Sequence, residues 1–167
     1  MQVQFPIMLV FTWCVAIAWS DWQSRRIPNS LVAAGLTVAV LGLVFQGQTL
    51  FGSSPLLSLT GAAGGLLLML PLYATRVMAA GDVKLFAAIG ALFGFWGLLP
   101  VWLISSLFAG AHALVWITMQ RLLPQYAATP ALGVFGRLPY GVHLAGGIAC
   151  VALQPDLVTA LTPPGWG

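Results

Sequence analysis

The sequence predicts an all-α, polytopic membrane protein, and three observations carry that prediction. Sixty per cent of the residues are hydrophobic. Five per cent are charged, where a water-soluble domain would carry about a quarter. Long apolar runs recur from one end to the other, of a length that suits helices crossing a hydrocarbon core. No polar stretch is long enough to bury a core of its own, so residues 1–167 read as a single transmembrane domain.

Six transmembrane helices are expected. The first covers roughly residues 3–20; its leading stretch "MQVQFPIML" lacks the basic segment of a signal peptide, so it is read as retained. The turn "SDWQSRRIPNS" follows, where Pro28 disfavours helix at Ile27 and Asn29 or Ser30 is placed to cap the next helix. The second span is roughly 30–46. A Gly/Ser/Pro loop, "GQTLFGSSP", leads to the third, roughly 56–75, which ends at the polar break "TRVMAAGDVK". Residues 85–119 are apolar throughout, and one helix of that length would be about 52 Å long against a core of about 30 Å. Two short spans with a tight turn near Gly97–Pro100 are therefore expected there. A Pro- and Gly-containing loop over 120–138 precedes a last span, roughly 139–154, ended by Pro155.

The basic residues orient these spans. Arg25 and Arg26 fall in the first loop, Arg76 and Lys84 in the third, Arg121 and Arg137 in the fifth. All six then lie on one face, which the positive-inside rule makes the cytoplasm, with both termini outside. Spread over three loops, they form no basic stripe, so the sequence pI of 9.3 is no sign of nucleic-acid binding. Cys14 and Cys150 both sit in apolar segments without a CxxC pair, and neither a metal site nor a disulfide framework is expected. Gly61 with Gly65, and Gly90 with Gly94, have the spacing of tight helix packing.

The chain has only three acids, Asp21, Asp82 and Asp156. Asp21 ends the first span and Asp82 opens the fourth. Two spans separate them, so both belong to the cytoplasmic face and to one depth. Taken singly, Asp21 reads as a solvated interfacial charge near Arg25, and Asp82 as a first-turn acid favoured by the helix dipole. Taken together they suggest chemistry. Two carboxyls a few ångströms apart share one proton: the ionised member takes a proton from water while the protonated member hydrogen-bonds a scissile carbonyl. Such a reaction uses neither a covalent intermediate nor a cofactor. Asp156, after Pro155 on the outer side, has no expected catalytic role.

Three stretches, "DWQSRRIPN", "AAGDVKLFAAIGALFG" and "RLPYGVHLAGG", occur in that order. They resemble the prepilin peptidases, membrane aspartic endopeptidases of the GxGD class, and among them the short Flp (Tad) type without an N-methyltransferase domain. The resemblance implies a catalytic pair, Asp21 and Asp82, that removes the leader of a prepilin or pseudopilin precursor at the cytoplasmic face of a bacterial inner membrane. It matches Gly81 to the glycine before the family's catalytic aspartate and Lys84 to the lysine after it. Ala79 stands where the first motif glycine would be. Tyr140, opening the last span on the same face, is a further candidate to line the site.

The remaining polar residues read as structural. His112 and His143 are expected as neutral histidines hydrogen-bonded between helices, and Trp13, Trp19, Trp22, Trp96 and Trp102 as interfacial anchors. Two rival functions remain open on the sequence: a proton-coupled transporter with the aspartates as relay groups, and a non-catalytic scaffold of a secretion or pilus system. The partners expected are the bilayer and a membrane-inserted precursor helix. Nothing in the pattern sets an oligomeric state.

Overall fold

The computed structural model describes residues 4–76, 78–122, 140–154 and 156–163, and all regular structure among them is helical. The helices are α1 (Gln4–Ser24), α2 (Asn29–Gln46), α3 (Pro55–Ala74), α4 (Ala80–Leu122), α5 (Tyr140–Leu153) and α6 (Asp156–Leu161). Three of them, α2, α3 and α4, are long and apolar enough to cross a membrane, and α5 is a shorter apolar helix. Large apolar side chains point outward along them, among them Val44, Phe45, Leu59, Leu67 and Leu107. Such a surface is unfavourable in water and suited to lipid, so this is a multi-pass membrane protein. The expected loop over 120–138 with Arg137, and the stop at Pro155, fall largely or wholly outside the described residues.

The helix ends follow local chemistry. Pro28, extended at φ −67° and ψ 146°, occupies the N-cap of α2, where no side chain caps the helix. Asn29 and Ser30 thus lie inside the first turn instead of capping it, because the fixed φ of proline already starts the helix. Gly47, at φ 72°, closes α2 by donating its N–H to the Leu43 carbonyl at 3.1 Å. Ser54 caps α3 through the Leu57 N–H.

The long apolar run does divide, but at Gly94 and not at Gly97–Pro100. Gly94 has φ 75° and ψ 176°, a conformation open essentially to glycine alone, while Pro100 stays within the helix. Gly97 serves packing instead. A Cβ there would collide with the Phe93 side chain, so its bareness lets the second half fold back over the first. The break strands carbonyls at the end of the first half, and hydroxyls satisfy them. Thr49 Oγ1 donates to the Leu92 carbonyl at 2.7 Å and Ser58 Oγ to that of Ala91 at 2.6 Å.

The two halves of α4 form a hairpin against which α2, α3, α5 and α6 pack. α3 packs chiefly on it, α5 lies against both α4 and α1, and α1 meets α2 through Trp13, which packs on Gly35 and donates to the Leu31 carbonyl at 2.8 Å. The glycine pairs behave as packing residues. A Cβ on Gly61 would run into the backbone of Gly90, one on Gly90 into that of Gly61, and one on Gly65 would lie 2.7 Å from the Phe86 carbonyl oxygen. α3 and the first half of α4 are therefore in backbone contact. Because of the reversal at Gly94, Asp82 and Ser106, equidistant from it along the chain, return to the same end of the bundle.

Candidate active site

The site assembles at that end from three helix termini. The first is the end of α1. Arg25, at φ 52°, is in the left-handed region and turns the chain out of the helix, its N–H still bonded to the Asp21 carbonyl at 3.0 Å. Ser20 Oγ and Ser24 Oγ both donate to the Arg26 carbonyl, at 2.9 and 3.3 Å. The turn is thereby folded back onto α1, and Ile27 is buried.

The second terminus is the start of α4. Gly81 faces Ile27 of the same chain: an added Cβ would lie 3.1 Å from the Ile27 carbonyl oxygen and 3.2 Å from its Cβ. Lys84 Nζ donates to Asn29 Oδ1 at 3.2 Å. These two contacts lock "RRIPN" to "GDVK", so the two motifs form one unit in space. Asp82 sits in the first turn of α4 and accepts the Ala79 N–H, the reach-back half of a capping box. Ala79 is not among the positive-φ residues, so the backbone at that position makes no demand for glycine.

The third terminus is the start of α5, and it meets Asp21. The Val142 N–H donates to Asp21 Oδ2 at 3.2 Å, and the Gly141 N–H also bonds this carboxylate. The first amides of a helix have no partner within it, and here a carboxylate from another helix satisfies them. Gly141 makes this approach possible, since a Cβ there would lie 2.9 Å from both Asp21 Cγ and Oδ2.

Asp21 and Asp82 are thus brought together and lie within electrostatic reach of one another. Asp21 is buried and Asp82 half-buried. Tyr140 completes the cluster: its hydroxyl is hydrogen-bonded to that of Ser106, and its ring system lies in the field of Asp82. Arg25 and His143 act electrostatically on Asp21. His143 is buried against His112, ring centroids 5.1 Å apart and edge to face. Among the described residues no three His, Cys or acidic side chains are grouped to hold a metal ion. Asp156 begins α6 and is exposed.

Sequence reasoning reached Asp21, Asp82, Gly81, Lys84 and Tyr140, but not Gly141, Val142, Ser106 or Ile27. The contribution of Gly141 and Val142 is backbone N–H, which no residue type announces. The available signal was a glycine in the first turn of an apolar helix, "PYGV", where bareness implies a close neighbour.

Residues 8–114 match the family model described as the type IV leader peptidase family. That stretch contains both "DWQSRRIPN" and "AAGDVK". Over 165 residues the chain is 31% identical to a prepilin leader peptidase/N-methyltransferase of Stutzerimonas stutzeri, covering 94% of this chain and 52% of that protein. It is also 31% identical over 149 residues to one of Xanthomonas campestris pv. campestris, covering 84% and 47%. The chain spans about half the length of these curated relatives. No solved structure matches it. With two carboxylates gathered from distant helices inside the matched segment, the chain belongs to the type IV leader peptidase family.

Proposed function

We propose that this chain is a membrane-embedded aspartic endopeptidase that removes the leader of Flp-type prepilins or pseudopilins, with Asp21 and Asp82 as its catalytic pair. The observation that carries the reading is their juxtaposition: two of the three acids of the chain, sixty-one positions apart, lie within each other's field. The names of the relatives supply the substrate class, a prepilin.

The chemistry follows from one shared proton. The ionised carboxylate takes a proton from a water as its oxygen bonds to the scissile carbonyl carbon. The protonated carboxyl gives its proton to the carbonyl oxygen, and a tetrahedral gem-diol forms. On collapse the C–N bond breaks, the departing nitrogen takes the proton that came from water, and a hydroxyl proton returns to the second carboxylate. Every proton is accounted for, and no covalent intermediate is needed. Tyr140 and Ser106 border the acid, and the Lys84–Asn29 contact holds the turn against α4.

In this reading residues 1–167 form one domain of six spans, with α4 counted as two and both termini outside. Every Lys and Arg then lies in a loop or helix end on the cytoplasmic side, and the carboxylates face the cytoplasm at the inner membrane. A precursor would lie with its hydrophobic helix in the bilayer and its polar leader inside, so the bond to be cut reaches a wet boundary where the helix can be unwound.

The test is co-expression with a Flp-type pilin precursor in membranes, following the leader on a gel. Asp21→Asn and Asp82→Asn should each abolish processing while the protein still inserts. Cleavage that persists in both variants would end the aspartic-peptidase reading and leave a transporter or scaffold.

A further inference from the structure

Two carboxylates that share a proton need not share it equally, and their surroundings here differ. Asp21 is met head-on by the start of another helix, accepting the Val142 N–H at 3.2 Å and the Gly141 N–H, in the fields of Arg25 and His143. Asp82 accepts one amide, from Ala79, and its other neighbours are Tyr140 and Asp21 itself. The Lys84 ammonium, two residues on, is turned to Asn29. His112, behind His143, completes the titratable groups around the pair among the described residues.

Burial disfavours the ionised form of both carboxyls and is the largest influence on each; at Asp21 it is opposed by two amide donors and the partial positive charge of a helix start, at Asp82 by one amide. Ionising one member of a close pair disfavours ionising the other. We propose that the start of α5, through the bare Gly141 and the Val142 N–H, is a positioning element that holds Asp21 as the ionised member of the pair and leaves the shared proton on Asp82. Asp21 is then the base that receives the proton of water, and Asp82 the acid that protonates the scissile carbonyl oxygen. The assignment of roles rests on the peptidase reading; the order of ionisation does not.

Gly141 is what makes this device sensitive. A methyl group there would stand 2.9 Å from Asp21 Cγ and Oδ2, a separation real side chains do not adopt, so the carboxylate must move off the amides. Gly141→Ala should therefore weaken the preference of Asp21 for the ionised state without removing either acid.

Composition makes the test direct. The chain has three Asp and no Glu, so aspartate labelled with carbon-13 at the carboxyl yields three side-chain resonances. Their assignment comes from the signal lost in each Asp→Asn variant. In the full chain, purified in lipid nanodiscs and titrated downward from neutral pH, the Asp82 resonance should protonate first and that of Asp21 last. Gly141→Ala should move the Asp21 titration up by about one pH unit, the worth of one charge-assisted hydrogen bond. The acidic limb of the cleavage profile should rise with it. Asp21 protonating before Asp82 overturns the proposal, and so does a Gly141→Ala protein whose two titrations are unmoved. If Gly141→Ala does not fold, the order of ionisation in the unsubstituted chain decides alone. Cleavage surviving both Asp→Asn changes would instead sink the peptidase reading and leave the ionisation order standing.

Discussion

The Gly94 end of the bundle and the carboxylate end face the same difficulty and meet it with different chemistry. At both, helices end with backbone groups that have no partner within the helix, and those groups need partners elsewhere. At the Gly94 end the leftovers include the carbonyls of Ala91 and Leu92, and their partners are the hydroxyls of Ser58 and Thr49. Phe51 stacks on Phe93 beside them, ring centroids 4.1 Å apart, and closes the corner. At the other end the leftovers are amides, those of Ala79, Gly141 and Val142, and the partners are the carboxylates of Asp82 and Asp21.

The partner that meets the leftover group sets the outcome. At the Gly94 end the partners are neutral hydroxyls for carbonyls and amides alike, Ser54 taking the Leu57 N–H at the start of α3, and they have no charge to lose near neutral pH. At the other end the amides meet carboxylates, and an anion in such a place titrates. The hydroxyl end is inert structure. In the proposed reading the carboxylate end serves structure and chemistry with the same atoms, so Asp82 as a first-turn acid and Asp82 as a catalytic acid do not compete.

The largest effects should separate the two ends cleanly. Asp21→Asn and Asp82→Asn should each lower prepilin cleavage by about a thousandfold or more, the scale of losing an acid–base group, with insertion and heat stability near those of the parent. At the opposite end, Gly90→Val should do the reverse of a clean active-site change. It drives a branched side chain into the backbone of Gly61, so α3 and α4 cannot meet and folded protein should be lost on size-exclusion in detergent. A Gly90→Val protein that elutes and melts normally would remove the backbone contact from the account of the fold. Gly94→Ala should fall between: its positive φ and the 2.9 Å approach to Ser53 Oγ should lower stability by about 1–3 kcal/mol in a denaturation series.

How much of this was legible beforehand differs between the ends in the same way. The expected spans 30–46 and 56–75 agree with α2 and α3, because loops rich in Gly, Ser and Pro bound them. The aspartates stood out because nearly everything around them is apolar. The reversal was expected three to six residues too late, near Gly97–Pro100 instead of at Gly94. Length alone demanded it, but the residue that makes it possible is the one where Thr49 and Ser58 wait to bond the stranded carbonyls, and those hydroxyls come from the far side of the fold. Gly81 was legible only as the glycine before the motif aspartate, whereas its close approach to the Ile27 backbone was not. Ser106 was hidden as one of two adjacent serines in an apolar helix: Ser105 bonds the Val101 carbonyl at 2.7 Å within its own helix, and Ser106 reaches Tyr140.

A smaller effect sharpens the comparison at the hydroxyl end. Thr49→Val keeps the shape of the side chain and removes both the donor to the Leu92 carbonyl and the acceptor of the Ser53 N–H. Thr49 is 1% exposed, so no water replaces it. The stranded carbonyl and amide should together lower stability by about 1–3 kcal/mol or more, read as a shift of the denaturation midpoint, with cleavage per folded molecule unchanged. Reduced turnover in the folded fraction would mean that the turn at Gly94 is coupled to the carboxylates, and that the two ends are not independent.

The smallest effect tests what joins the two motifs at the carboxylate end. Lys84 is exposed, and its bond to Asn29 at 3.2 Å runs between a flexible ammonium and a neutral amide oxygen. Exposed polar contacts of this kind contribute about 0.2–1 kcal/mol, so Lys84→Met and Asn29→Ala should each shift the midpoint only slightly. Their value lies in the pair. If the contact clasps the "RRIPN" turn to the start of α4, the two changes together should cost no more than the larger one alone, and cleavage should fall by the same few-fold in all three proteins. Fully additive losses would mean that Lys84 and Asn29 act separately. Ile27 packed on Gly81 would then be what holds the turn of α1 against α4, and Ile27→Ala would move Asp21 relative to Asp82 where Lys84→Met does not.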